Sequence, residues 1–390
     1  MKDVRNNLRT MYAYKFLSEF WLIAPILIPY YVDSGLSPTQ VFTVQAFYAL
    51  AVLLLEIPSG YLADVVGRKA TLLLGAVFLP VGVAVYVSWR TFPAFLMAEG
   101  LIALANSMRS GCDSAMVYDT LSQLGHESDY KKCEGRMVFF TRLGTASSAV
   151  IGGLAASRII SLPFFLNIAS SLPMLPLALT LVEPERRQRR SAHPLRDIVR
   201  IAVNALGRPQ TRHLMMLWAL IVSSEITALW AYFLYYQSLK IPIGLFGVLF
   251  AVFQLASAIG SHQAHRLEKL LGHRRSWLLL MLLGPSLLLL GGVGTIWLLP
   301  LIFFNSALWG FSQPLIFDRL NRLATSDVRA TVLSTANMTG SLGFALISPL
   351  FGALTGWQSL GVALIFLGGY FLIGSAAVIR LILTNRHECN

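Results

Sequence analysis

The sequence predicts an all-α membrane protein: twelve transmembrane helices in two pseudo-symmetric six-helix bundles. Three observations predict it. Apolar stretches of spanning length recur along the whole chain, which is 55% apolar and only 13% charged. Lysine and arginine collect in alternate loops between those stretches. Landmark residues then repeat at a spacing close to 200 positions.

A membrane span needs roughly 20 predominantly apolar residues. Such windows lie near 11–32, 40–60, 70–88, 93–118, 137–157, 162–182, 214–237, 243–263, 276–292, 296–317, 330–354 and 358–383. The first window is too long for a cleavable signal peptide, so none is expected. Basic residues mark the loops in order: Lys2, Arg5 and Arg9; Arg68 and Lys69; Lys131, Lys132 and Arg136; Arg186 to Arg212; Arg266 to Arg275; Arg319 to Arg329; Arg380 and Arg386. The opposite loops hold little beyond Arg90, Arg158 and Lys240. By the positive-inside rule this places both termini in the cytoplasm; the expected location is the cell inner membrane. The net charge of +12 therefore orients the chain and calls for no nucleic-acid partner. Cys112, Cys133 and Cys389 fall in a helix, a cytoplasmic loop and the tail, where no structural disulfide is expected.

The first bundle covers residues 1–185 and the second 213–390. Between them, 186–212 is a basic linker opening on Arg186-Arg187-Gln188-Arg189-Arg190. Leu195, Ile198, Val199 and Ala202 have helical spacing. That segment either lies on the membrane surface among anionic lipids or is a solvated connector; both readings stand. The repeat rests on three pairs: Gly60 with Gly260, Tyr118-Asp119 with Phe317-Asp318, and Ser18-Glu19 with Ser224-Glu225.

The stretch Gly60-Tyr61-Leu62-Ala63-Asp64-Val65-Val66-Gly67-Arg68-Lys69 joins the second and third spans. Its glycines permit a tight turn and close helix approach. It resembles the loop between the second and third helices of the major facilitator superfamily of secondary transporters, in the drug/proton antiporter-like bacterial branch. The second copy is degraded, with Ala264 where the first has Asp64, followed by Arg266, Gly272, Arg274 and Arg275. The resemblance implies a substrate site between the halves, a monomer, and a cytoplasmic gate of Gly60, Asp64, Gly67, Arg68, Lys69, Asp119 and Asp318. Within it Arg68 would pair with Asp119, and Asp64 would cap the eleventh helix near Ala330 to Ser334. The fifth span, Gly144 to Gly153, is similar to the family's glycine-rich antiporter motif, with Ser148-Ala149 where a Gly-Pro step is expected.

Charges inside spans are costly and face a cavity or a partner. Glu19, Glu225 and Asp113 are thus the candidate proton-coupling acids. Lys15, one turn from Glu19, offers that acid a purely structural partner. In the fourth span Glu99, Asn106, Arg109, Ser110 and Asp113 share one helical face. Arg109 and Asp113, one turn apart, make either an internal ion pair or a site for an anionic group. In the tenth span Asn305, Trp309, Ser312 and Gln313 suit a small organic substrate. Arg109, Asn106, Glu99, Asn305, Trp309 and Gln313 are the candidate substrate residues. Tyr30, Trp230, Tyr232 and Tyr235 supply aromatic walls or packing.

His262 and His265 at a helix end read as interfacial, so no metal is expected. No phosphate-binding loop or hydrolase elbow occurs, which disfavours ATP-driven transport and a membrane enzyme and leaves no cofactor to place. The expected activity is alternating-access transport of a small molecule with protons as partner, and export of a cationic or amphipathic compound comes first. Uptake of a nutrient or organic anion is the alternative. A transporter-fold sensor or scaffold using the basic linker is a further one.

Overall fold

The computed structural model describes residues 4–184, 203–325 and 328–384, apart from the side chains of Ile57, Asp64, His273 and Ala330. Most of the expected linker, 186–202, lies outside the described residues, as does Cys389. Among the described residues every regular element is helical. The order is α1 (Asn6–Ser18), α2 (Leu27–Asp33), α3 (Pro38–Val65), α4 (Arg68–Ser88), α5 (Phe92–Arg109), α6 (Cys112–Gln123), α7 (Tyr130–Ala156), α8 (Leu162–Ser171) and α9 (Met174–Thr180). After the linker come α10 (Pro209–Ser238), α11 (Phe246–Leu280, kinked at Gly272, φ 73°, between the eighth and ninth spans), α12 (Leu283–Val293), α13 (Leu299–Leu323), α14 (Arg329–Trp357) and α15 (Leu360–Thr384).

Ten helical stretches among the described residues are long and apolar enough to cross a membrane. The other two expected spans, 11–32 and 93–118, fall outside these ten because each is broken, which corrects the one-face reading of the fourth span. The first breaks after Ser18, at Glu19, and resumes at Leu27. The fourth breaks at Ser110–Gly111, where Gly111 takes φ 70°, a left-handed conformation natural to glycine. A broken span frees backbone groups that lipid cannot satisfy, so protein must supply the partners. Leu22 N–H donates to Asn167 Oδ1 of α8 at 2.9 Å.

The chain divides into two units. One takes Met1–Leu36, Phe47–Arg190 and Pro242–Ala251; the other takes Ser37–Ala46, Ser191–Ile241 and Val252–Asn390. In the first, close packing runs through glycine. A Cβ at Gly152 of α7 would stand 1.9 Å from Leu22 O, and one at Gly144 2.6 Å from Phe16 O. The fifth-span small residues thus let α7 press on the broken first span. A Cβ at Gly247 would likewise meet Ala149 O at 1.9 Å. In the second unit Phe42 meets Phe351 at 4.8 Å between ring centroids, and Ser348 Oγ donates to Phe42 O at 3.1 Å.

Candidate functional site

In the first unit the two helix breaks bring four charges together. Lys15 Nζ lies 2.5 Å from Asp113 Oδ2 and 3.7 Å from Glu19 Oε1. Arg109 Nη1 lies 4.0 Å from the same Glu19 oxygen. Two bases therefore balance two acids, which offsets the cost of burying them. Arg109 and Asp113 do not form the expected pair. The kink at Gly111 removes the regular turn that would align them, and each finds its partner on the first span. Arg109 Nη2 donates to Asn106 Oδ1, and Asn106 Nδ2 donates to Tyr48 Oη at 2.7 Å. Arg109 is 9% exposed, and its Nε and Nη1 have no hydrogen-bond partner among the described residues. Asp113 Oδ1 accepts Ser114 N–H at 2.8 Å.

Glu99 stands in a different set. Tyr31 Oη donates to its Oε1 at 2.8 Å and lies 2.9 Å from Tyr86 Oη. Tyr30 Oη donates to Tyr86 O, so Tyr30 packs and bonds within the unit rather than lining an open wall.

The second unit has no counterpart of the four-charge cluster among its described residues. Glu225 sits inside the unbroken α10, 2% exposed, and neither carboxyl oxygen has a hydrogen-bond partner among the described residues. Ser223 Oγ of the same helix lies 3.1 Å from Tyr370 Oη, and Trp218 Nε1 donates to Asn337 Oδ1 at 3.3 Å. Trp309 stacks on Trp218 with centroids 5.6 Å apart. Asn305 is fully buried; its amide donates to Tyr232 Oη at 3.0 Å and its Oδ1 accepts from Ser286. Tyr235 Oη donates to Thr295 O. Gln313 is exposed, away from buried Asn305 on the same helix.

The Gly60–Lys69 stretch is mostly helix. Among the described residues of its unit Gly60 has nothing within 4 Å of a built Cβ, whereas a Cβ at Gly260 would stand 2.0 Å from Ala307 O. The turn is made by Gly67, with φ 123°. That residue caps α4 and aims its first amides outward. Arg68 N–H and Lys69 N–H donate to the two oxygens of Glu183 at 2.9 and 2.8 Å. A carboxylate at a helix N-terminus meets unsatisfied donors and the positive end of the dipole. Arg68 Nη2 lies 2.9 Å from Asp119 Oδ2, and Lys69 Nζ donates to Leu179 O. Asp64's side chain, and with it the cap on the eleventh helix, lies outside the described residues. Asp318 pairs with Arg322 of its own helix at the surface. The linkage between helices in that unit is Glu268 with Arg319, at 2.6 Å.

Sequence reasoning missed Glu183, Asn167, Glu268 and Arg319. Glu183 had a signal: an acid directly after the sixth apolar run, at the same membrane face as Arg68 and Lys69. Asn167 had a weaker one, a lone amide within an apolar run.

Residues 16–237 match the family model of the Major Facilitator Superfamily. The chain belongs to that superfamily. Among solved structures it is similar to the nucleoside transporter NupG, at TM-score 0.79 and 12% identity over 98% of this chain and 99% of that one. It is also similar to the POT family transporter PepTSo, at TM-score 0.79 and 12% identity over 99% of each. A D-xylose–proton symporter matches at TM-score 0.71 and 14% identity over 96% of each chain. At these identities the likeness shows the fold. No curated protein sequence matches the chain. As a major facilitator superfamily protein, it is a multi-pass membrane transporter and not an enzyme.

Proposed function

We propose that the protein exchanges protons for a small cationic or amphipathic organic compound, moving that compound out of the cell. The observation that carries this reading is Glu225, a covered carboxyl with no hydrogen-bond partner among the described residues. An unpaired charge inside a span costs on the order of 3 kcal/mol. Glu225 therefore needs either a proton or a cation, one excluding the other. Mutual exclusion at one acid couples the two flows and needs no further device. The other acids support the choice, because Glu19 and Asp113 already have Lys15 and Arg109 beside them. On this reading Arg68, Asp119, Glu183 and the Gly67 turn hold the cytoplasmic gate, and the two bundles alternate access.

The test is proton movement into or out of proteoliposomes holding the purified protein and a pH-sensitive dye. Lipophilic cations should drive it, and Glu225→Gln should abolish it. Unchanged pH-gradient dependence in that variant would remove Glu225 from the coupling.

One observation favours a second reading. Among the described residues Arg109 Nε and Nη1 have no hydrogen-bond acceptor, Nη1 facing Glu19 only at 4.0 Å, which suits an anionic nutrient taken up. Proton movement with organic anions alone, lost in Arg109→Gln, would establish that reading in place of the first.

A further inference from the structure

The two units contain cavities at matching places in the repeat, and the two differ in charge. The first lies where the start of the first span, the end of the fourth and the start of the fifth meet, and has a volume of about 380 Å³. The second lies at the start of the seventh span, the end of the tenth and the start of the eleventh, and measures about 140 Å³. Spans one, four and five correspond to seven, ten and eleven in a six-span repeat. The fold thus makes a hollow there twice. Among the described residues the second hollow has a single base, Arg208, with Asn204, threonines and apolar residues around it. The first is ringed by Arg5 and Arg9 at the start of α1 and by Lys132 and Arg136 on α7, with His126 beside them.

We propose that the first cavity binds a phosphate-bearing anion. Four bases and one histidine converge on it against one acid, Asp129, which His126 Nδ1 already approaches at 3.7 Å. Arg9, Lys132 and Arg136 have no ion-pair partner among the described residues. Ordinary positive-inside loops spread their charge over the surface; these bases come from two helices onto one concavity. Guanidinium forks match phosphate oxygens in geometry as well as charge. The floor is apolar, through Leu8 and Leu121, which suits a headgroup with the start of its glycerol or a compact phosphate ester. Basic pockets between helices at a cytoplasmic membrane face accept such headgroups. The volume lies within the range of small-ligand sites. The site does not depend on the direction or substrate of transport.

The experiment is a melting series on the full-length protein in neutral detergent. Inorganic phosphate, short-chain phosphatidylglycerol and short-chain phosphatidylcholine are the three probes. Binding at a saturating ligand concentration should raise the Tm by about 2–4 °C. Phosphatidylglycerol, phosphate or both should give that rise, and phosphatidylcholine should not. The rise should vanish in the double variant Arg9→Gln/Lys132→Gln, whose side chains are exposed and whose folding should be intact. It should persist in Lys131→Gln, a neighbouring base outside the cavity, and in Arg208→Gln in the second hollow. A rise with the lipid alone assigns a headgroup, a rise with phosphate alone assigns a soluble ester, and a rise with both assigns the phosphate group from either source. No rise, an equal rise with phosphatidylcholine, or a rise kept in the double variant overturns the proposal.

Discussion

Glu183 shows how one side chain sets a local structure. Its two oxygens receive the first two amides of α4, whose start is fixed by the positive φ of Gly67. Arg68 then points its guanidinium to Asp119. Two acids therefore hold one helix start, one through the backbone and one through the side chain. Glu183→Gln keeps an acceptor but loses the charge facing the dipole. It should destabilise the solubilised protein by about 1 kcal/mol, read as a lower Tm. An unchanged Tm would mean that the amides find equal partners in water. The Gly60–Lys69 motif was legible because its spacing is specific. Glu183 was less so: its place at the end of the sixth apolar run put it at the right membrane face, but its partners lie about 115 positions away.

At the scale of elements, the broken first span is the feature that hydropathy could not show. A window average sees apolar residues on both sides of Glu19 and cannot register a helix that stops. The physical signals were indirect: a charge within the span, a lone amide at Asn167 and glycines in the fifth span. The structure joins them, since Leu22 N–H meets Asn167 and Leu22 O meets the face of Gly152. Asn167→Ala leaves a buried N–H without its acceptor and should cost about 1–3 kcal/mol. Gly152→Ala puts a methyl where backbone stands 1.9 Å away. Its Tm should fall by more than that of Gly60→Ala, where space is open and alanine gains helix propensity of up to about 1 kcal/mol. Equal Tm values for these two variants would contradict the packing described for α7. The spans themselves were legible for a plain reason: length and apolarity are all that a bilayer demands of them.

Over the whole molecule the two units answer one problem differently. The repeat predicted by Glu19 and Glu225 puts an acid at the same place in each half, yet the surroundings diverge. In the first unit the spans that carry Glu19 and Asp113 are both broken, and these two acids gain bases. In the second, α10 runs unbroken past Glu225, with neither carboxyl oxygen bonded among the described residues. Sequence could place both acids and offer Lys15 to Glu19, but it could not bring Arg109 and Asp113 to the same cluster, because that depends on which helices stop. A stability comparison separates them. Asp113→Asn removes the nearer of the two carboxylates facing Lys15 and leaves its ammonium only Glu19, at 3.7 Å, so it should cost about 1.5–3 kcal/mol. The double variant Lys15→Ala/Asp113→Ala should recover part of that loss, since neither charge is then left alone. Glu225→Gln breaks no hydrogen bond within the second unit and should leave the Tm unchanged or raise it. A residue whose replacement keeps stability while abolishing proton coupling is held for function rather than folding. If Glu225→Gln lowered the Tm as far as Asp113→Asn does, Glu225 would have to be read as a structural acid.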